Sequence, residues 1–223
     1  MAEMRRIFPP ILLLLSMLSV AGFAGPFEEG MKSLKNGDFA EAYCLWRPLA
    51  MRGNADAAYH LGWLYANGNG LRVDGRKAVY WWTQAAQRGH TDAQFALGMA
   101  YTNGDGIKED KSKAAEWFMR AAEAGNADAR ELIREMVRVG AEEIRPWLAK
   151  LVQQPWLGQR VRVKVEGANL RAGPGRDKPL LGRVKKGARL IVLDRHGRWC
   201  QVIEPAGLKV SWIAGWLTEA VGD

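Results

Sequence analysis

Asp56-Ala57-Ala58-Tyr59-His60-Leu61-Gly62-Trp63-Leu64-Tyr65 returns as Asp92-Ala93-Gln94-Phe95-Ala96-Leu97-Gly98-Met99-Ala100-Tyr101, a shift of 36 residues. The same shift carries Gly68-Asn69-Gly70-Leu71 to Gly104-Asp105-Gly106-Ile107, and Lys77-Ala78 to Lys113-Ala114. It also carries Trp82 to Phe118, Ala85-Ala86 to Ala121-Ala122, and Gly89 to Gly125. A fixed period of this size marks an array of supersecondary units, each burying its apolar face against the next. Ala57, Leu61 and Tyr65 fall at i, i+4 and i+8 and form one helical stripe. Gly62 in mid-helix costs about 1 kcal/mol relative to alanine, so the close approach of another backbone is its expected purpose. The Gly-x-Gly stretches end the helix, and a second helix is expected from about Gly75 to Gln87, stopped by Gly89. The product is a stack of helix–loop–helix units, an α-solenoid.

Outward from this stretch the pattern fades. Ala42, Trp46 and Gly53 lie one period before Ala78, Trp82 and Gly89, so residues 27–53 read as a degenerate opening unit. Asp128-Ala129 repeats Asp92-Ala93, and residues 128–151 read as a closing unit in which Arg134 replaces the glycine. Terminal units deviate because one of their faces meets water. The LG-x-x-Y, G-x-G-hydrophobic, D-x-x-K-A and A-A-x-x-G elements resemble the Sel-1-like repeat, a relative of the tetratricopeptide repeat. Disulfide-rich secreted relatives carry a cysteine pair in each repeat, and this chain does not. Nothing here supports the hydrolase activity proposed for some of them.

From Arg160 the texture changes to short alternating runs separated by glycine: Val161–Val165, Ala188–Leu193 and Trp199–Ile203. Such alternation with close turns predicts a small all-β barrel. Asn169-Leu170-Arg171-Ala172-Gly173-Pro174-Gly175, Lys186-Gly187, Gly197-Arg198-Trp199 and Ser211-Trp212-Ile213 resemble the bacterial SH3 family in order and spacing. Ser211-Trp212 stands where that family usually has Gly-Trp. The resemblance implies binding of a peptide, a cell-wall glycopeptide or a partner protein. Trp46, Trp81, Trp82 and Trp117 sit at repeat positions and read as packing residues. Trp199, Trp212 and Trp216 crowd a barrel too small to bury three indoles, so a surface-facing aromatic group is expected. With Arg171 they are the candidate ligand-binding residues. Packing of these indoles on the helical array is the competing role.

The amino terminus bears on compartment. Arg5 and Arg6 precede an apolar run from Ile11 to Val20 and the small-residue stretch Ala21–Gly25. This is the pattern of a secretory signal peptide, with cleavage expected between Ala24 and Gly25. The expected organisation is therefore a signal peptide over 1–24, a solenoid over 25–153 and a linker over 154–159. A barrel over 160–218 and a tail over 219–223 complete it. Residues 25–158 hold 17 Lys/Arg and 17 Asp/Glu, whereas residues 159–223 hold 13 Lys/Arg against 6 Asp/Glu. The basic character belongs to the C-terminal module, and in an exported protein it points to an acidic polymer or protein rather than nucleic acid.

Candidates for catalysis are sparse. His60, His90 and His196 share no metal-ligand spacing and read as surface residues. Cys44 and Cys200 form no C-x-x-C motif, and one distant pair is not a disulfide framework, although an oxidising compartment permits a bridge. Parity with Val202 points Cys200 into the barrel core. No cofactor, no metal and no membrane span beyond the signal segment are expected. The sequence thus predicts a periplasmic or secreted adaptor whose repeats bind a protein and whose barrel binds a peptide or acidic ligand. A peptidoglycan-binding protein and, more remotely, a hydrolase accessory are the alternatives.

Overall fold

A computed structural model describes residues 25–221. The expected signal segment, Ala24 included, lies outside the described residues. Seven helices come first: α1 (Pro26–Asn36), α2 (Phe39–Met51), α3 (Ala55–Asn67), α4 (Gly75–Ala86), α5 (Thr91–Asn103), α6 (Lys111–Glu123) and α7 (Ala127–Val139). No helix among the described residues is long and apolar enough to cross a membrane.

The period recurs in the capping chemistry. Asn54, His90 and Asn126 are 36 residues apart, and each side chain accepts the backbone N–H three residues on, from Ala57, Ala93 and Ala129. Asp74 and Asp110 cap α4 and α6 in the same way, accepting from Lys77 and Lys113. Each cap satisfies a donor that the first helical turn would otherwise leave open.

The mid-helix glycines admit a ring, not a backbone. A Cβ on Gly62 would overlap the Trp82 indole, whose Cγ would lie 2.9 Å away, and one on Gly98 would overlap Phe118, with Cδ1 at 2.5 Å. The expectation of a backbone neighbour is therefore corrected: the first helix of each unit is notched to seat the aromatic of the second. The opening unit repeats the device with Gly30 against Trp46, whose Nε1 donates to the Phe27 carbonyl at 3.2 Å. Neighbouring units are joined by a second repeated contact. Gly70, at φ +67°, sits on Phe39 at the start of α2, and Gly106, at φ +72°, sits on Gly75 at the start of α4. These left-handed glycines leave no room for a side chain.

The closing unit has no second long helix. After Gly140 caps α7 in the left-handed region, Glu142–Trp147 forms a 3₁₀ turn containing Pro146, followed by the single turn α8 (Leu148–Leu151). A second 3₁₀ turn, Pro155–Leu157, leads into the strands.

These are β1 (Gln159–Val163), β2 (Gly167–Arg171), β3 (Leu180–Lys185), β4 (Arg189–His196), β5 (Trp199–Glu204), β6 (Lys209–Ala214) and β7 (Thr218–Ala220). They form one antiparallel sheet in the order β3-β2-β6-β5-β4-β1-β7. Val161, Ala168, Val184, Leu190, Val202 and Ile213 come from six strands yet share one core, so the sheet curls into a barrel. Cys200 is buried in that core and Cys44 is exposed; both are free thiols. The tail expected from 219 instead begins inside a strand, because Val161 and Arg162 pair with Ala220 and Glu219.

The join between the halves also differs from an open linker. Gln153 and Pro155 are exposed, but Leu157 is fully buried in one cluster with Ile133, Val137, Ile144 and Leu151 from the helices and Ile191 and Ile203 from the sheet. The cause lies in β4 and β5, which are buried on both faces. Leu190, Val192, Cys200 and Val202 point into the barrel, while Ile191 and Ile203 point out and need a second cover. Polar contacts trim the seam: Gln201 Nε2 donates to the Arg138 carbonyl at 2.9 Å, and Arg160 donates to the Gln153 carbonyl at 3.1 Å. The exposed Arg138–Asp194 pair at 3.1 Å contributes little to stability, as solvent screens it.

Candidate functional site

The register of β5 and β6 builds the candidate surface. Trp199 lies opposite Ala214 and Gln201 opposite Trp212, and directly paired residues share a face. Val202 and Ile213 occupy the other face, inside the barrel. Trp199 and Trp212 are therefore both held outside it. The 3₁₀ turn Gly215–Leu217 then brings Trp216 back over Trp199, with ring centroids 6.0 Å apart and planes at 68°, an edge-to-face pair. Trp216 is 43% exposed, and the Arg198 guanidinium lies 5.7 Å from its ring centroid.

Trp212 stands apart from this pair. It faces a cleft of about 610 Å³ between the end of α7 and the outer surface of β2, β3 and β6. Arg171 lies opposite Trp212 in the ladder, beside a bulge that β3 carries at Leu181, and its Nη1 donates to the Lys178 carbonyl at 2.7 Å. Of the four candidate residues, Trp199 and Trp216 meet directly, Trp212 lines the cleft between the modules, and Arg171 adjoins Trp212 in the ladder without lining that cleft. Trp147 and Trp156, rather than Trp216, are the indoles packed against the shared cluster at that seam.

His60 and His90 are not the plain surface residues expected, whereas His196 is exposed at the end of β4. His60 stacks on Trp46 at 4.8 Å and lies against Phe27 and Tyr59, and His90 stacks on Tyr59 at 4.4 Å. Burial, then the neighbouring His90, pushes the His60 imidazole below its ordinary value, with Asp56 opposing them weakly. His90 Nδ1 accepts the Ala93 N–H at 3.2 Å, the task that Asn54 and Asn126 perform in adjacent units. The period itself, which puts His90 in the register of two asparagines, is the signal that could have exposed this role. Among the described residues no group of three or more His, Cys, Asp or Glu could hold a metal ion.

Sequence and structure comparisons agree with this architecture. A Sel1 repeat model matches residues 55–90 and 91–126, and a bacterial SH3 domain model matches residues 166–219. A probable cell wall amidase LytH of Staphylococcus epidermidis is 40% identical over 53 residues, which is 24% of this chain and 18% of that protein. The Staphylococcus aureus protein of the same name is 36% identical over 53 residues, again 24% of this chain and 18% of its own length. The chain thus spans under a fifth of the curated relatives it matches. A solved Sel1 repeat protein from Oxalobacter formigenes is 28% identical, with a TM-score of 0.50, covering 51% of this chain and 47% of that one.

Proposed function

Because this chain carries two Sel1 repeats and a bacterial SH3 domain, we propose that it is an exported, non-catalytic interaction scaffold of the bacterial cell envelope. In this reading the helical array docks a protein, and the β-module takes a peptide or another acidic ligand. One observation carries it: the module holding the whole charge excess of residues 25–223, 13 Lys/Arg against 6 Asp/Glu over residues 159–223, also carries the Trp199–Trp216 pair at its surface, with Trp199 partly buried and Trp216 exposed. Charge brings an anionic ligand to the surface, and exposed Trp216 with the open part of Trp199 gives it apolar area to cover. Export rests on residues 1–24. The mature chain should begin at Gly25 by mass spectrometry of its amino terminus, and an intact leader on a cytosolic protein would contradict export.

The test of binding is a titration of the full mature chain with acidic ligands at two salt concentrations. Affinity should fall as salt rises to about 0.15 M, where the Debye length shrinks to about 8 Å. Trp199→Ala, in a chain still folded by circular dichroism, should weaken the remaining affinity by about 2 kcal/mol, a typical loss for an aromatic anchor.

The printed name of the LytH relatives favours a second reading, in which the β-module anchors the protein to peptidoglycan carboxylates. Pelleting with purified peptidoglycan decides between the two. Co-sedimentation lost in Trp199→Ala supports the wall anchor, and a protein that stays in the supernatant supports the scaffold. Turnover of muropeptides, abolished by a point substitution, would overturn the non-catalytic reading.

A further inference from the structure

The cleft between α7 and the sheet has two walls of different chemistry. On the helical side stand Val139, 65% exposed at the end of α7, and Arg145. On the sheet side stand Leu181, 60% exposed, together with Trp212, Arg183 and Lys209. Among the described residues neither Arg183 nor Lys209 has a carboxylate partner, and Arg145 is paired only with Glu142 at 2.9 Å, both side chains lying largely in water. Glu204 is the one acidic residue on the wall. Exposed apolar side chains beside unpaired cations are thus gathered where the two modules meet.

Three further observations mark this as a seat rather than a leftover gap. Leu181, Gly182 and Arg183 line it in succession, because Leu181 is the extra residue of a bulge in β3 and breaks the usual alternation of faces. β3 is an outer strand that pairs only with β2, so it can offer main-chain groups to an added strand. Finally, Leu208 on the same wall has φ +50°, alone among the described non-glycine residues in the left-handed region. Backbone strain of that kind gathers where a surface has been shaped for use.

We infer that this cleft binds an extended, acidic peptide segment of a partner protein, read by both modules at once. The peptide lies along β3 and sets an apolar residue among Val139, Leu181 and Trp212. Its carboxylates meet Arg145, Arg183 and Lys209. The assignment rests on the reading of the chain as an interaction protein, but not on the aromatic pair: Trp199 and Trp216 lie outside the cleft. It also gives the inter-module seam a purpose, since neither module alone supplies both walls.

Fluorescence anisotropy of the full mature chain with a fluorescein-labelled nonapeptide of alternating aspartate and leucine tests the idea. Binding should be measurable at about 50 mM salt and weaken severalfold by about 150 mM. Leu181→Glu and Arg183→Glu, both at exposed positions and checked for folding, should each lower affinity by about tenfold or more. Lys32→Glu, the same kind of charge change placed on exposed α1 away from both walls, should stay within about twofold of the parent, which separates a loss at the cleft from a general effect of net charge. Absence of binding at low salt, equal affinity for a lysine–leucine nonapeptide, or indifference to both substitutions would overturn the proposal. Displacement of the peptide by a muropeptide mixture would reassign the cleft to the wall.

Discussion

In the helical array one packing device is used three times, whereas in the β-module each buried side chain has a single, unrepeated neighbourhood. Gly30, Gly62 and Gly98 each seat a ring from the following helix, Trp46, Trp82 and Phe118. Asn54, His90 and Asn126 each cap the helix that follows them. The module has no such echo. Its surface arises because the β5–β6 register places Trp199 and Trp212 on the outer face, and because β4 and β5 carry apolar residues on both faces. Repetition makes the array robust to read and uniform along its length. The unrepeated module is where individual side chains differ enough to recognise something.

The sharpest way to break that contrast is at the seam, where the two regions share residues. Ile203→Ala removes a fully buried side chain from the shared cluster. We expect a loss of about 3 kcal/mol, in the usual range for such a truncation, read as lowered stability of helices and strands together. A change confined to the module would mean that the seam is a loose contact.

The next effect belongs to the array alone. Gly98→Leu drives a side chain into the Phe118 ring and should cost about 2 kcal/mol by thermal unfolding, because overpacking forces neighbours off their rotamers. Gly182→Ala in β3, where nothing lies within 4 Å of the added carbon, should stay within about 0.5 kcal/mol of the parent. Equal responses at the two glycines would erase the distinction between a repeated notch and an open strand position.

The smallest effect comes from His60. Its folded value lies below the ordinary imidazole value, so the unfolded chain binds more protons in the window beneath about 6.5. The stability this neutral side chain supports is present above that pH and is lost as pH falls through the folded value. The advantage of the parent over His60→Phe should shrink from pH 7.5 to 5.5 in thermal unfolding, with Asp56 and His90 as the facing groups. A difference constant with pH would contradict the burial argument.

The same contrast explains what could be read from the chain. The 36-residue shift gave the paired helices, their glycine stops and the degenerate ends, because a repeated residue reports a repeated contact. It could not tell a ring from a backbone as the neighbour of Gly62, since that depends on the crossing of two helices. The barrel is legible from its runs, but the sequence reading offers attachment to the array only as a competing role for the indoles, not as a cover over Ile191 and Ile203. Leu190-Ile191-Val192-Leu193 held the signal: four apolar residues in succession cannot alternate, and a strand covered on both faces requires a second layer. Trp199 and Trp216 were legible as surplus aromatics for so small a core, while the placing of Trp212 in the cleft depended on long-range register.

The cleft exists only where the two modules form one body, because only then do Val139 and Leu181 line it together. Urea unfolding of the full mature chain, followed by helical circular dichroism and by hydrogen exchange of the β4 and β5 amides, measures this directly. The two probes should report coincident midpoints in one cooperative transition. Separate midpoints, with β4 and β5 exchanging as an independent unit while the helices remain folded, would contradict the shared core and remove the cleft with it.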